Sequence, residues 1–226
     1  MNLMKCSPEN HSTYHIIQRF NIDLRGFDLI HAGAHDLIER ELYERCRVNR
    51  VYAFEANPIV IIGLEQRLLG TDWKAFQACL WSENGIEKEF YYYQDNYNGA
   101  GGLFLPERMN EFVDCKPTGK SFKIKTTTLN QYIEDNIVDI SNIKLFNADL
   151  QGAELDACIG ATKLLESSML EWLIIETSTF DCYKNGTKDK DLVDLLKQYN
   201  FTKIGFWKDW GNDKEQHGDA IYRRIS

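Results

Sequence analysis

An α/β fold with a mostly parallel sheet and helices on both faces is the architecture the sequence predicts, and three observations predict it. Apolar runs of strand length alternate with helix-like segments in a βαβαβ rhythm. The first such run, residues 27–32 (FDLIHA), is apolar almost throughout, as a strand buried on both faces is. The last two strand-like runs, 201–207 and 219–225, have no helix between them, which adds an antiparallel edge to the sheet.

Residues 11–20 form a short leading helix, and 27–32 the first strand. A helix over 36–46 carries Leu37, Glu41 and Arg45 along its length. The next strand is 50–56 (RVYAFEA). Residues 58–70 form a helix with Pro58 in its first turn and Gly70 at its end, the usual asymmetry. Residues 73–81 and 86–94 read as a third and fourth strand, and 96–104 (NYNGAGGLF) as a glycine-rich loop, either a hairpin connection or a mobile cover. Residues 121–129 (SFKIKTTTL) alternate as a half-exposed strand does. A strand at 142–148, a helix at 152–165, a strand at 170–177 and a helix at 189–199 precede the closing strand pair. Residues 1–26 are read as a helical extension and 27–226 as one domain.

The chain has 226 residues, 43% hydrophobic and 27% charged, enough for a sizeable core. Its formal charge of −8, from 34 acids and 26 bases, argues against a nucleic-acid groove, which needs a basic face. No apolar run has the length of a membrane span, and the N-terminus lacks the apolar core of a secretory signal. The six scattered cysteines form no C-x-x-C pair and read as reduced thiols, the usage of a cytoplasmic protein.

In a parallel α/β sheet, ligands sit beyond the carboxyl ends of the strands. Here the strand ends carry polar residues: His31 to His35, Glu55 to Asn57, Leu80 to Ser82, Asp149 to Gln151 and Glu176 to Ser178. Gly33, followed by Glu55 beyond the second strand, is the outline of an adenosine-type site, with a close turn and an acid for ribose hydroxyls. A dinucleotide turn wants G-x-G-x-x-G, but the second and third positions here are His35 and Ile38, where pyrophosphate needs bare backbone. S-adenosylmethionine has no phosphate and fits this turn better than NAD does.

The stretch around Gly33 is similar to the first motif of the FkbM-type methyltransferases, "IHxGAHxGxE", with Ile30, His31, Gly33, Ala34, His35 and Glu39 in place and Tyr43 on the following helix. Leu37 stands where the motif usually has its second glycine. Residues 54–58 (FEANP), 148–155 (ADLQGAEL), 174–177 (IIET) with Tyr183 and Gly186, and 218–224 (GDAIYRR) resemble the later motifs, in order. The resemblance runs from about residue 27 to 224 and is loosest over 86–128. It implies a Rossmann-like class I methyltransferase fold, residues 27–226 as the methyltransferase domain, S-adenosyl-L-methionine as cofactor, and O-methylation, most often of a sugar hydroxyl on a glycan or glycosylated metabolite.

On that basis the cofactor contacts are expected from His31, Gly33, Ala34, His35, Glu39, Phe54, Glu55, Ala56, Asn57, Cys79, Leu80, Trp81 and Asp149. Gly33 and Ala34 let the methionine part lie close, Glu55 accepts from the ribose, and Cys79 to Trp81 border the adenine. Asp149, Glu176 and His217 are the candidates for acceptor contact or base. Asn57 doubles as a helix cap, and His217 as a loop histidine before the last strand. The four-residue spacing of His31 and His35 does not make a metal pair, because it spans a strand-to-turn junction rather than one helix face, and a metal held by Asp149, Glu176 and His217 is the weaker alternative. Tyr91 to Tyr93, Trp207 and Trp210 either stack on a sugar or pack within the fold. A rival from another class is a non-catalytic module binding a glycan or a protein.

Overall fold

The computed structural model describes residues 11–94 and 101–225. Seven strands form one sheet in the order β10-β11-β9-β8-β1-β2-β3. Its parallel part is β1 (Asp28–Ala32), β2 (Arg50–Glu55), β3 (Lys74–Gln77), β8 (Ile143–Ala148) and β9 (Trp172–Ser178). The antiparallel strand is β11 (Gln216–Arg224). It lies one place in from the edge, between β9 and β10 (Phe201–Gly211), because the closing hairpin folds back beside β9.

Successive residues of the central strands feed opposite faces, as the pleat requires. Ile30, Phe54, Phe146, Leu173 and Ile175 pack on one side with α5 (Glu154–Ile159), α6 (Thr162–Glu166) and α7 (Asp189–Lys197). Leu29, Val51, Leu145 and Ile174 pack on the other with α2 (Arg40–Arg45) and α3 (Val60–Arg67). Ile16 and Ile17 of α1 (Ser12–Arg19) belong to that second cluster, so the leading helix shares the core of the main domain.

The expected third strand is in fact two. It breaks at Ala78, whose N–H donates to the Glu55 carbonyl, and β4 (Cys79–Leu80) turns away into a second, four-stranded sheet of order β4-β7-β5-β6. That sheet holds β5 (Glu87–Gln94), β6 (Gly101–Gly102) and β7 (Lys116–Thr127), so the expected fourth strand and the 121–129 strand stand outside the main sheet. The glycine-rich loop lies partly outside the described residues, at 95–100. The expected helix at 152–165 is likewise two pieces. They part at Gly160, where a Cβ would come within 2.0 Å of the Trp81 carbonyl oxygen. A further helix, α4 (Leu129–Glu134), follows β7 and is capped by Thr128, whose side chain accepts from the Gln131 N–H. Among the described residues no helix is long and apolar enough to cross a membrane.

Candidate active site

The carboxyl ends of β1, β2 and β8 are tied together by backbone. The N–H groups of Gly33 and Ala34 both donate to the Phe54 carbonyl at 2.9 Å, and the Asp149 N–H donates to that of Ala32 at 2.9 Å. Gly33 has φ +74, and a Cβ there would lie 1.7 Å from the Asp149 carbonyl oxygen, so this close approach admits only glycine. The turn that follows uses left-handed backbone at His35 (φ +47) and at Leu37 (φ +49). Leu37 therefore adopts backbone that favours glycine, its side chain fully buried, and α2 begins only at Arg40 rather than at Asp36.

Glu55 ends β2 with its carboxylate turned back over this turn. One oxygen accepts from the His35 N–H at 2.9 Å and the other from the Asn57 N–H at 2.7 Å. The residue is 8% exposed, and burial pushes its carboxyl above the ordinary value. A carboxylate has about four acceptor sites, so the backbone donors of this turn leave capacity for a ligand donor. Nearby, Asp36 accepts from Arg67 at 2.5 Å, and His35 with Arg67 holds its carboxyl below the usual range.

A cavity of about 420 Å³ opens beside these residues, within the range of small-molecule sites. Gly33, His35 and Glu55 line its centre; Ala78, Cys79 and Leu80 line one end, and Asp149, Leu150 and Gln151 the other. The second sheet closes it from outside with Phe90 and the backbone of Gly101 and Gly102. A Cβ on Gly102 would come within 3.0 Å of the Gln151 Cβ. No lysine or arginine lines the cavity among the described residues.

Behind Asp149 lies a network of carboxyl groups. Oxygens of Asp149, Glu154 and Glu176 all fall within 4.8 Å of one another. Gln151 Nε2 donates to Asp149 at 2.6 Å and to Glu176 at 3.2 Å, and Gln151 Oε1 accepts from the Tyr183 hydroxyl at 2.5 Å. Glu154 accepts from the N–H groups of Leu150 and Gly152, stapling the turn after β8. With the amide between two carboxyls and one oxygen of Glu154 taken by two backbone donors, the cluster is a hydrogen-bonded network.

Burial pushes Glu154 up to about 7. Burial, then Asp149, Glu154 and Asp219, raise Glu176 well above its usual value. Burial also lowers His217 to about 4, which disfavours an imidazolium in its 3.0 Å contact with Glu176. The other ring nitrogen of His217 lies 2.9 Å from the Ser178 hydroxyl.

Of the residues expected from the sequence, Gly33, His35, Glu55, Ala56, Cys79, Leu80 and Asp149 line one cavity. The others stand apart from its wall. His31 is buried on the far face of the sheet, bonded through Tyr43 to Asn147, and burial lowers it to about 4. Ala34 and Phe54 are core, and Trp81 is packed against Phe104 with the Lys88 ammonium 4.0 Å from its ring centre. Asn57 does not cap α3: its side-chain oxygen accepts from the Ile59 N–H in the turn that precedes the helix. Glu39 lies before α2, its carboxyl pushed up to about 7 by burial. Glu176 supports Asp149 from behind. His217 is no loop residue: it opens β11 and is 3% exposed, under the stacked ring of Trp210. Trp207 stacks on His15, so each of the two tryptophans has one face covered by a histidine ring. Asp36, Phe90 and the Gly101–Gly102 backbone are lining residues the strand-end rule did not select, whereas Gln151 stood in both its Asp149 to Gln151 stretch and the quoted ADLQGAEL motif but was given no role of its own.

The profile described as the Methyltransferase FkbM domain matches residues 31–203. No curated protein matches the chain. Among solved structures, TrmK of M. capricolum in complex with S-adenosylhomocysteine superposes with a TM-score of 0.51 at 8% identity, covering 96% of this chain and 69% of that one. The magnesium protoporphyrin IX methyltransferase ChlM of Synechocystis PCC 6803, with S-adenosylmethionine bound, gives 0.50 at 11% identity over 95% of this chain and 77% of that one. A protein of the NADB-Rossmann superfamily from Streptococcus agalactiae gives 0.50 at 12% identity, covering 96% and 70%. At such identities the likeness is one of fold, and the fold is that of the class I methyltransferases.

Proposed function

The chain belongs to the FkbM methyltransferase domain family, and from that premise we propose that it moves a methyl group from S-adenosylmethionine to a sugar hydroxyl of a glycan or glycosylated metabolite. The observation that carries this reading is Glu55, a buried carboxylate with spare lone pairs at the end of β2, facing the same cavity as Gly33 and Asp149. The cavity fits the cofactor: Ala78, Cys79 and Leu80 suit adenine, Glu55 a ribose diol, and the tight Gly33–Asp149 junction the amino-acid end. Bound there, S-adenosylmethionine supplies an electrophilic methyl group on a good leaving group.

What remains for the chain is to align the acceptor, exclude water and take a proton. Such positioning contributes about 7–11 kcal/mol. Asp149 is the carboxylate at the cavity wall and acts as the base for the acceptor hydroxyl, a contribution of about 10²–10⁴-fold. Glu176, raised well above its usual value by burial and by Asp149, serves as a support rather than a second base. Glu55 and Asp149, with no lysine or arginine in the lining, favour a neutral acceptor over a phosphate-bearing one. The thiols of Cys46, Cys79, Cys158 and Cys182 suit the reducing cytoplasm as its place of action.

The test is a panel of neutral glycans, phosphorylated sugars and RNA incubated with enzyme and S-adenosylmethionine and read by mass. A gain of one methyl is expected on a neutral glycan, with a rate lowered about 10²-fold or more in Asp149→Asn. Methylation confined to RNA or to phosphorylated sugars would contradict the acceptor class.

A further inference from the structure

Gln151 lines the cavity and also joins three members of the network behind it. We propose that Gln151 is a positioning residue for methyl transfer: its amide, held in one orientation by Tyr183, bridges Asp149 and Glu176 and fixes the Asp149 carboxylate at the cavity wall, a role that rests on the methyltransferase reading of the site.

Local backbone sets this up. Gln151 has φ +54 and Gly152 φ +99, an unusual pair that turns the Gln151 side chain back between the ends of β8 and β9. The pair is held by Glu154, which accepts from the N–H groups on either side of Gln151, and by Tyr183, whose ring would meet any Cβ on Gly152 at 3.0 Å. The amide could in principle point either way. The three partners decide together: Asp149 and Glu176 present carboxyl oxygens on one side, and the Tyr183 hydroxyl donates to the amide oxygen on the other. The amide NH₂ then faces the two carboxyls.

A neutral donor is what this place requires. The groups facing it are nearly all acids: Glu154 from α5, Glu176 from β9, Asp209 from β10 and Asp219 from β11. Glu39 adds its field from before α2, His31 from β1 and His217 from β11 are kept neutral by burial, and no lysine or arginine bonds to Asp149, Gln151, Glu154 or Glu176 among the described residues. One amide satisfies two carboxyls without adding charge. A glutamate of the same length would add a carboxyl at hydrogen-bond distance from both.

The test is calorimetric titration of S-adenosylhomocysteine into wild type, Gln151→Glu, Gln151→Met and Tyr183→Phe, from about pH 6 to about pH 9, with folding checked by circular dichroism. With Glu55 on the ribose, the ligand's ammonium reaches Asp149 and favours the ionised cluster, so affinity rises with pH by up to about tenfold per unit as one proton leaves. Gln151→Glu adds a like charge and Gln151→Met removes the donor; each makes the cluster harder to ionise. Both profiles should therefore move to higher pH than the wild type's, while Tyr183→Phe weakens binding a few-fold without moving the profile. A residue that merely supported the fold would weaken binding evenly at every pH. If Gln151→Glu fails to fold, Gln151→Met carries the test alone. Gln151→Glu and Gln151→Met profiles that superimpose on the wild type's, or run parallel to it, overturn the role of Gln151. Failure of the wild type to bind at any pH overturns the methyltransferase reading, and the role with it.

Discussion

Leu37 shows how a single residue can keep a turn that its side chain disfavours. Left-handed backbone costs a non-glycine residue about 1–2 kcal/mol, yet Leu37 adopts φ +49 with its side chain fully buried beside Leu42 and Leu64. Removing a buried leucine costs about 2–5 kcal/mol, so burial outweighs the strain. Leu37→Gly should therefore relieve the backbone and still destabilise the protein by about 2 kcal/mol in urea unfolding, with S-adenosylhomocysteine affinity within a few-fold of wild type. A stabilised variant would show that the leucine is tolerated rather than used. Gly33 and Glu55 were legible in the sequence because a tight turn and an acid at a strand end leave a local imprint. Gln151 was not: a glutamine beside an aspartate shows nothing of Tyr183, which lies 32 positions away and fixes its amide.

At the scale of elements, Arg224 at the end of β11 joins three connections. Its guanidinium donates to the carbonyls of Leu165, Ser167 and Leu170 around the end of α6, and to that of Tyr199 after α7. It also lies 4.3 Å over the ring of Phe201. Arg224→Ala leaves these carbonyls without their donor and should cost about 3 kcal/mol, read as a lower urea midpoint; Arg224→Lys should recover only part, because an ammonium cannot span the same fork. Element by element, the leading helix, the parallel strands and the closing hairpin followed from local pattern. What local pattern missed depends on distant partners. Gly160 breaks a helical run where the Trp81 carbonyl lies against it, and 73–81 divides at Ala78 because its second half pairs with β7 instead of β2. Strands 86–94 and 121–129 have ordinary strand periodicity, and nothing local says that they pair with each other and cover the cavity instead of joining the main sheet.

For the whole molecule, the main consequence is a store of buried acid. Burial pushes Glu39 and Glu154 up to about 7, and burial with Asp209 pushes Asp219 up to about 8. These groups bind protons more tightly folded than unfolded, so the stability they contribute is complete below their unfolded values and is lost as pH rises through about 7 to about 8. His31 and His217, lowered to about 4, act in the opposite sense, but only below their unfolded value of 6.5. Between about pH 6.5 and pH 8 the acids stand unopposed, and the thermal midpoint should fall across that window. A midpoint that rises there would mean that these carboxyls are ionised in the folded protein.

All of these scales meet at Glu55, and titration of S-adenosylhomocysteine into wild type and Glu55→Ala tests that most directly. The wild type should bind in the micromolar range. Glu55→Ala should remain folded and bind about 10- to 100-fold more weakly, the loss of a charged acceptor for two ribose hydroxyls. Equal affinity in the two proteins, or no binding by the wild type, would contradict the account.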